Sequence, residues 1–238
     1  MKLLSKSDII SGQSVNTIID ALEKRRVVKT PAQVTNILPP TAAFYDKWRA
    51  KSLGLLTGEA FSLEDEAQLL IDWLKPKVKE VILDLGCSTA FYARTIAKEQ
   101  PASFPVAIDY SKAMLNKAIK LTKSQNRELY FLKADAEGLP IKDETINAAV
   151  SGGTLNEFHN PRKALSEAYR VLKKDGRLFL MYLTKSETFS GKLAQLGAKG
   201  GGITFHSRDG WNTILQNVGF EELKRKDMGV VTFQLLQK

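Results

Sequence analysis

The chain has 238 residues, a net charge of +9 and 43% hydrophobic residues, a composition typical of a globular protein with one sizeable core. One cysteine, Cys87, and two histidines exclude a disulfide framework, predict no zinc or other metal site, and suit a cytoplasmic location. No apolar run approaches the ~20 residues of a transmembrane helix. The basic residues are spread along the chain, which argues against a nucleic-acid partner.

The N-terminal third predicts a helical extension over residues 1–79. Ser14–Arg26 has the apolar spacing of an amphipathic helix, and Ser62 with Asp65 predicts a capping box before the helix Glu64–Leu74. Large apolar side chains are concentrated between these helices, and we expect them to be covered: Phe44, Tyr45, Trp48, Leu53, Leu55, Leu56 and Phe61. We favour a cap over the carboxyl edge of the following domain. Packing on its flank, or peripheral membrane contact through Ser14–Arg26, stays open.

Residues 80–238 predict a second, α/β unit. Strands are expected at Val81–Leu85, Val106–Tyr110, Leu129–Ala134, Ala148–Ser151 and Arg177–Leu183, and helices at Ala90–Glu99, after Ser111, at Pro161–Lys173 and at Ser207–Val218. This alternation predicts a doubly wound, mostly parallel sheet. The runs Phe220–Lys226 and Val230–Leu236 are too close for a crossover and predict an antiparallel edge hairpin, which gives seven strands.

The candidate binding residues follow the predicted strands. The first strand leads into DLGCSTA, residues 84–90, where Gly86 is the only glycine and Ser88 and Ala90 stand where glycine is usual. Asp109 ends the second strand and Asp135 the third, at the edge where open parallel sheets bind ligands. The G-x-G-x-x-G fingerprint of dinucleotide sites is absent. A nucleoside without phosphates needs only a close turn, a carboxylate for the ribose and an acceptor for the adenine amino group.

Four motifs in order resemble those of the class I methyltransferases that use S-adenosylmethionine (SAM), in the broad group that contains the ubiquinone/menaquinone methyltransferases. The first family motif, commonly L-D-L-G-C-G-T-G, resembles VILDLGCSTA of this chain. The later motifs resemble AIDYSKAML, KADAEGLPIKDETINAAVSG and ALSEAYRVLKKDGRLFL. The resemblance runs from about Val78 to Glu222. It implies a Rossmann-like SAM-binding domain at 80–238 and a SAM-dependent methyltransferase.

The resemblance also implies site residues. Gly86 would let the backbone pass close to the methionine part of SAM, Asp109 would take the ribose hydroxyls, and Asp135 would bind the adenine edge. Further cofactor-binding residues on this basis are Asp84, Cys87, Ser88, Tyr110, Met114, Ala136 and Gly152. If Ser88 or Ala90 needs a positive φ, the cost is about 1 kcal/mol, so we expect the loop to bind SAM.

The catalytic residues and the acceptor are less constrained by the motifs. His159 and Tyr45 are the candidate catalytic residues, although His159 could instead cap the helix at Pro161. The aromatic N-terminal segment favours a small, apolar or aromatic acceptor such as a quinone, isoprenoid or secondary metabolite. Two alternatives stay open: an RNA or protein methyltransferase that uses the basic surface, and a non-catalytic binding or assembly protein with a SAM-type fold. The sequence does not fix the oligomeric state.

Overall fold

The structure, a computed structural model, describes residues 4–5, 7–8, 15–22, 30–31, 34–35 and 38–238. In these residues eight strands form one sheet, in the order β1-β4-β3-β2-β5-β6-β8-β7. The strands are β1 (Ile18–Asp20), β2 (Val81–Leu85), β3 (Phe104–Asp109), β4 (Tyr130–Lys133), β5 (Ile146–Gly152), β6 (Leu172–Leu183), β7 (Glu221–Met228) and β8 (Val231–Gln237).

Helices flank the sheet on both faces. They are α1 (Pro39–Thr57), α2 (Leu63–Leu74), α3 (Phe91–Glu99), α4 (Lys112–Ser124), α5 (Pro161–Val171), α6 (Phe189–Gly200) and α7 (Arg208–Val218). Successive residues of β2 point to opposite faces. Leu83 joins a core with α5 and α7, and Ile82 joins one with α2 and α3. The capping box of Ser62 and Asp65 is present at the start of α2.

The sheet confirms the doubly wound prediction. β2 pairs in parallel with β3 on one side and with β5 on the other, so the chain leaves β2 at a point where the strand order reverses. Loops at the carboxyl ends of β2, β3 and β4 therefore surround one crevice. β6, β8 and β7 pair antiparallel, as the predicted edge hairpin requires.

The prediction of a helix over Ser14–Arg26 is wrong where the structure describes it, and residues 14 and 23–26 lie outside the described ranges. Ile18–Asp20 instead forms β1, parallel to β4, which adds an eighth strand. Ile18 packs with the α3–α4 cluster and Ile19 with the opposite core, so the pair buries both faces as strand residues do. Pairing with β1 also covers backbone groups that β4 would otherwise leave unpaired.

Two smaller expectations also fail. The helix predicted to reach Lys173 ends at Val171, because Leu172 already pairs with Ile146 as the first residue of β6. In the N-terminal segment Leu53 is buried, whereas Phe44, Trp48 and Leu55 are exposed. α1 buries its other face, so these three side chains do not cover the domain.

Candidate functional site

A cleft lies at the carboxyl ends of β2, β3 and β4. Seven of the residues predicted to bind the cofactor line it: Gly86, Ser88, Asp109, Tyr110, Met114, Asp135 and Ala136. The same cleft contains three residues of the loop after β5: Thr154, Glu157 and Phe158. Both predicted strand-end acids, Asp109 and Asp135, are therefore brought to one cavity.

A second, smaller cavity lies beside the first. Its lining includes Tyr45 and Arg49 from α1, together with Asp84, Cys87 and Gly152. Gly86 lines both cavities, so the turn after β2 separates them. The N-terminal segment thus contributes two side chains to the predicted site.

A side chain at position 86 would require the surrounding structure to rearrange. The φ of Gly86 is +62°, and a Cβ there would lie 2.4 Å from Thr154 Cγ2. The Thr154 hydroxyl also donates to the Gly86 carbonyl at 2.7 Å. Only a residue without a side chain fits between β2 and the loop after β5. The space on both sides of Gly86 is therefore open to a ligand.

The two departures from the glycine-rich pattern adopt the backbone conformation that glycine favours. Ser88 has φ +48° and Ala90 has φ +60°, so both are in the left-handed region. The turn keeps its geometry at some cost in backbone strain rather than changing shape. Ala90 is fully buried at the start of α3, whereas Ser88 lines the cleft.

Replacement of Ser88 by glycine should relieve this strain. We expect Ser88→Gly to raise the free energy of unfolding by about 0.5–1 kcal/mol in urea denaturation, because glycine adopts positive φ without a Cβ clash. Ala90→Gly is the matched control: the buried methyl group that it loses offsets the relief, so its stability should change less. A destabilised Ser88→Gly variant would mean that the contacts of the Ser88 side chain in the cleft outweigh the strain.

Asp109 organises the turn as well as the cleft. Its Oδ2 accepts the Ser88 N–H at 2.9 Å and its Oδ1 accepts the Ser111 N–H at 2.8 Å. These two bonds fix the orientation of the Asp109 carboxylate at the edge of the cleft. The side chain is buried at the end of β3.

A buried ion pair lies behind the second cavity. Arg49 Nη2 donates to Glu66 Oε1 at 2.6 Å, Arg49 Nη1 donates to the Gly152 carbonyl at 3.1 Å, and the Tyr92 hydroxyl donates to Glu66. Glu66 has no exposed surface. Burial alone would lower the pKa of Arg49, but the Glu66 carboxylate holds this pKa above its usual value. Within the described part of the chain, Arg49 Nε and Glu66 Oε2 have no hydrogen-bond partner.

The carboxyl group of Asp84 has a strongly raised pKa. Burial, reinforced by the charge of Asp109, raises its pKa to about 7, although the Ala93 N–H and the Arg49 charge oppose the shift. The Ala93 N–H donates to Asp84 Oδ2 at 3.0 Å. Asp84 is therefore divided between its neutral and charged forms near neutral pH. A cation bound in the second cavity would favour the charged form.

The structure places the two candidate catalytic residues differently. Tyr45 lines the second cavity, where burial raises the pKa of its hydroxyl. His159 is exposed and is not among the residues that line either cavity. It does not cap α5 either, because the Asn160 side chain accepts the Lys163 N–H. The role of His159 stays a prediction without support from this placement.

Several residues of the site were not assigned from the sequence. Thr154, Glu157 and Phe158 lie in a segment that the motifs mark only as following the fourth predicted strand. Glu66 had a detectable signal, since it lies four residues before Leu70 and eight before Leu74, which are both buried on one face of α2. A carboxylate on such a face indicates a buried partner.

The mostly parallel sheet with antiparallel edge strands is that of the class I methyltransferase fold. Residues 83–180 match the family described as "Methyltransferase domain". The demethylmenaquinone methyltransferase of Thermus thermophilus is 32% identical over 111 residues, which cover 47% of this chain and 50% of that relative. The chain thus matches about half the length of this curated relative.

Solved structures agree on the fold. The [4+2]-cyclase SpnF superposes with a TM-score of 0.68 at 17% identity, and the superposition includes 90% of this chain and 97% of SpnF. The geranyl diphosphate C-methyltransferase from Streptomyces coelicolor A3(2), solved with S-adenosylhomocysteine, has a TM-score of 0.63 at 13% identity and covers 73% of this chain and 74% of that chain. Both likenesses confirm the predicted fold.

Proposed function

We propose that this chain transfers a methyl group from SAM to a small, largely apolar or aromatic acceptor, and that it does so in the cytoplasm. The observation that carries the proposal is the pair of cavities that share Gly86 at the carboxyl edge of the sheet. One contains two strand-end carboxylates for a nucleoside. The other contains Arg49 and Asp84, which complement the carboxylate and the ammonium group of an amino acid.

We assign the first cavity to the adenosine half of SAM. The Asp109 carboxylate would accept the ribose hydroxyls, and Asp135 would take the adenine amino group. Met114 and Phe158 line this cavity and are almost fully buried, which provides an apolar surface for the adenine ring. Asp135 Oδ1 accepts the Glu137 N–H at 2.9 Å, and this bond orients its carboxylate.

We assign the second cavity to the methionine half. Arg49, fixed by Glu66, would bind the carboxylate as a charge-assisted pair. Asp84 would meet the ammonium group. Cys87 contributes a neutral wall, since burial and the charges of Asp109 and Asp84 raise the pKa of its thiol.

Methyl transfer from SAM requires little acid–base catalysis from the protein. SAM supplies a methyl carbon that its positive sulfur already activates, so the protein mainly aligns the acceptor and excludes water. Tyr45 stays protonated at neutral pH and is suited to donate a hydrogen bond rather than to act as a base. The acceptor class is supported by the acceptors in the names of the Thermus and Streptomyces proteins, a demethylmenaquinone and geranyl diphosphate.

Asp109→Ala tests the cofactor assignment. We expect the affinity for S-adenosylhomocysteine to fall by about 10- to 150-fold in calorimetry, because charge-assisted hydrogen bonds are worth about 1.5–3 kcal/mol. Glu128→Ala is the control, since it removes an exposed carboxylate before β4, at the opposite edge of the sheet. Unchanged affinity in Asp109→Ala would remove the ribose assignment, and wild-type binding of NAD would contradict the cofactor.

A methyl-transfer screen tests the acceptor class. Purified protein is incubated with labelled SAM and separate pools of quinones, isoprenoids, aromatic metabolites, RNA and protein. We expect label in a small apolar or aromatic product. Label in RNA or protein would favour the macromolecular alternative, and intact cofactor binding with no transfer to any pool would favour a non-catalytic protein.

A further inference from the structure

Helix α6 presents an apolar stripe to solvent. Phe189, Leu193 and Leu196 recur at spacings of four and three residues and so share one face, and they are between 62% and 84% exposed. None of the residues of α6 is buried. Lys192 and Lys199 lie beside the stripe, and the helix contains no acidic residue. A globular domain usually turns such a face inward.

The orientation of α6 is fixed by its other side. Gln195 accepts the Ser186 N–H at 2.9 Å and donates to the Thr184 carbonyl at 2.8 Å, and it lies well around the helix from the stripe. These bonds attach α6 to the segment that follows β6. The stripe therefore faces outward because α6 is docked through its polar side.

Helix α1 presents a similar face. Phe44, Trp48 and Leu55 share one side of the helix and are between 60% and 83% exposed, with exposed Lys47 and Lys51 next to them. The opposite side carries Arg49 and Leu53, which are buried.

The two helices meet the sheet at the same place. The Val230 N–H donates to the Leu56 carbonyl at the end of α1, and the Val230 carbonyl accepts the Thr184 N–H just after β6. α6 begins five residues after Thr184. Two amphipathic faces of the same composition therefore flank the carboxyl edge of the sheet.

We infer that the stripes of α1 and α6 dock this protein on the surface of an anionic lipid bilayer. Aromatic and leucine side chains beside lysines are the composition of helices that lie in the membrane interface. The bilayer supplies both an apolar layer for the stripes and negative charge for Lys47, Lys51, Lys192 and Lys199. None of the helices in the described ranges is long and apolar enough to span a membrane, so the contact is peripheral.

The charges favour a bilayer over a second copy of the chain. A twofold contact would place the same patch against itself and so bring the lysines of both copies together. α6 offers no acidic residue to pair with them, and Asp46 of α1 already accepts a hydrogen bond from Thr89. An anionic surface neutralises these lysines instead of repelling them.

Vesicle flotation without any cofactor tests this inference. Full-length protein is mixed with vesicles of phosphatidylcholine alone, or with about 3:1 phosphatidylcholine to phosphatidylglycerol. We expect flotation with the anionic vesicles, at least about tenfold less with neutral ones, and a strong decrease in about 1 M salt, where the Debye length falls to about 3 Å.

Variants locate the contact. Leu193→Ser with Leu196→Ser should reduce binding to the anionic vesicles at least about tenfold, because each leucine loses its apolar burial, while binding of S-adenosylhomocysteine stays unchanged. Val78→Ser, an exposed apolar position before β2 at the opposite edge of the sheet, should bind vesicles like the wild type.

Two outcomes would overturn the inference. One is the absence of flotation with anionic vesicles. The other is a dimer in sedimentation that Leu193→Ser with Leu196→Ser makes monomeric, since the stripe would then bind another copy. Because cofactor affinity is measured separately on the same variants, failure of the docking surface and failure of the proposed function give different results.

Discussion

Replacing Glu66 by alanine should destabilise the protein by about 3–5 kcal/mol, because it leaves the buried Arg49 guanidinium without its counter-ion. Burial decides this magnitude: Glu66 has no exposed surface and accepts from both Arg49 and Tyr92. The free energy of unfolding from urea denaturation is the measurement. Asp72→Ala, an exposed position of the same helix, should change it by less than about 0.5 kcal/mol.

A triple variant separates the loss of a partner from the loss of packing. Arg49→Met, Glu66→Leu and Tyr92→Phe together replace the ion pair and its hydroxyl with apolar groups of similar volume. We expect them to recover most of the stability that Glu66→Ala loses, since apolar replacement of buried ion pairs is often neutral or stabilising. The same variant should still bind S-adenosylhomocysteine poorly, because Arg49 is absent. Recovery of both stability and affinity would contradict the assignment of Arg49 to the cofactor carboxylate.

The ion pair of Arg49 and Glu66, together with Tyr92, connects three helices. Arg49 belongs to α1, Glu66 to α2 and Tyr92 to α3, so one cluster joins the N-terminal segment to the helix that follows the cofactor turn. A structural role alone would be served by apolar residues. Arg49 also lines the second cavity, and a ligand of opposite charge would explain why this position is charged.

The sequence predicted the features that depend on local pattern. Val81–Leu85 is a strand with the bounds expected from its apolar run, and Ser62 and Asp65 cap α2 as their spacing requires. The acids at the ends of β3 and β4 reached one cleft because parallel strands end at the same edge.

Features that depend on distant contacts were not predictable in the same way. Ile18 and Ile19 fit a helical stripe and a strand equally well, and only the free edge of β4 decides between them. The constraint on Gly86 comes from Thr154, which is distant in sequence. The turn of the site can therefore be predicted from its motif, whereas the residues that line the rest of the site follow only from the folded structure.

The stability of the protein should depend strongly on pH through Asp84. Its pKa is about 7 in the folded protein and about 3.9 in an unfolded chain, so between these values the folded state holds a proton that the unfolded state has released. The stability from this group is therefore complete below about pH 4 and is lost as the pH rises through about 7. Relative to Asp84→Asn, wild-type protein should lose about 3–4 kcal/mol of unfolding free energy between about pH 4 and pH 8. Parallel curves for the two proteins would show that Asp84 titrates normally.

The same carboxyl group should couple cofactor binding to proton release. At about pH 6 most Asp84 is protonated in the free protein, and the ammonium group of S-adenosylhomocysteine placed beside it would lower its pKa and expel the proton. Calorimetry at this pH in buffers of different ionisation enthalpy should therefore detect nearly one proton released per ligand, falling toward zero at about pH 8. Asp84→Asn should release none at either pH, since its amide does not titrate. Binding by the wild type at the lower pH without proton release would place the ammonium group away from Asp84, and the orientation proposed for the methionine half of the cofactor would then be wrong.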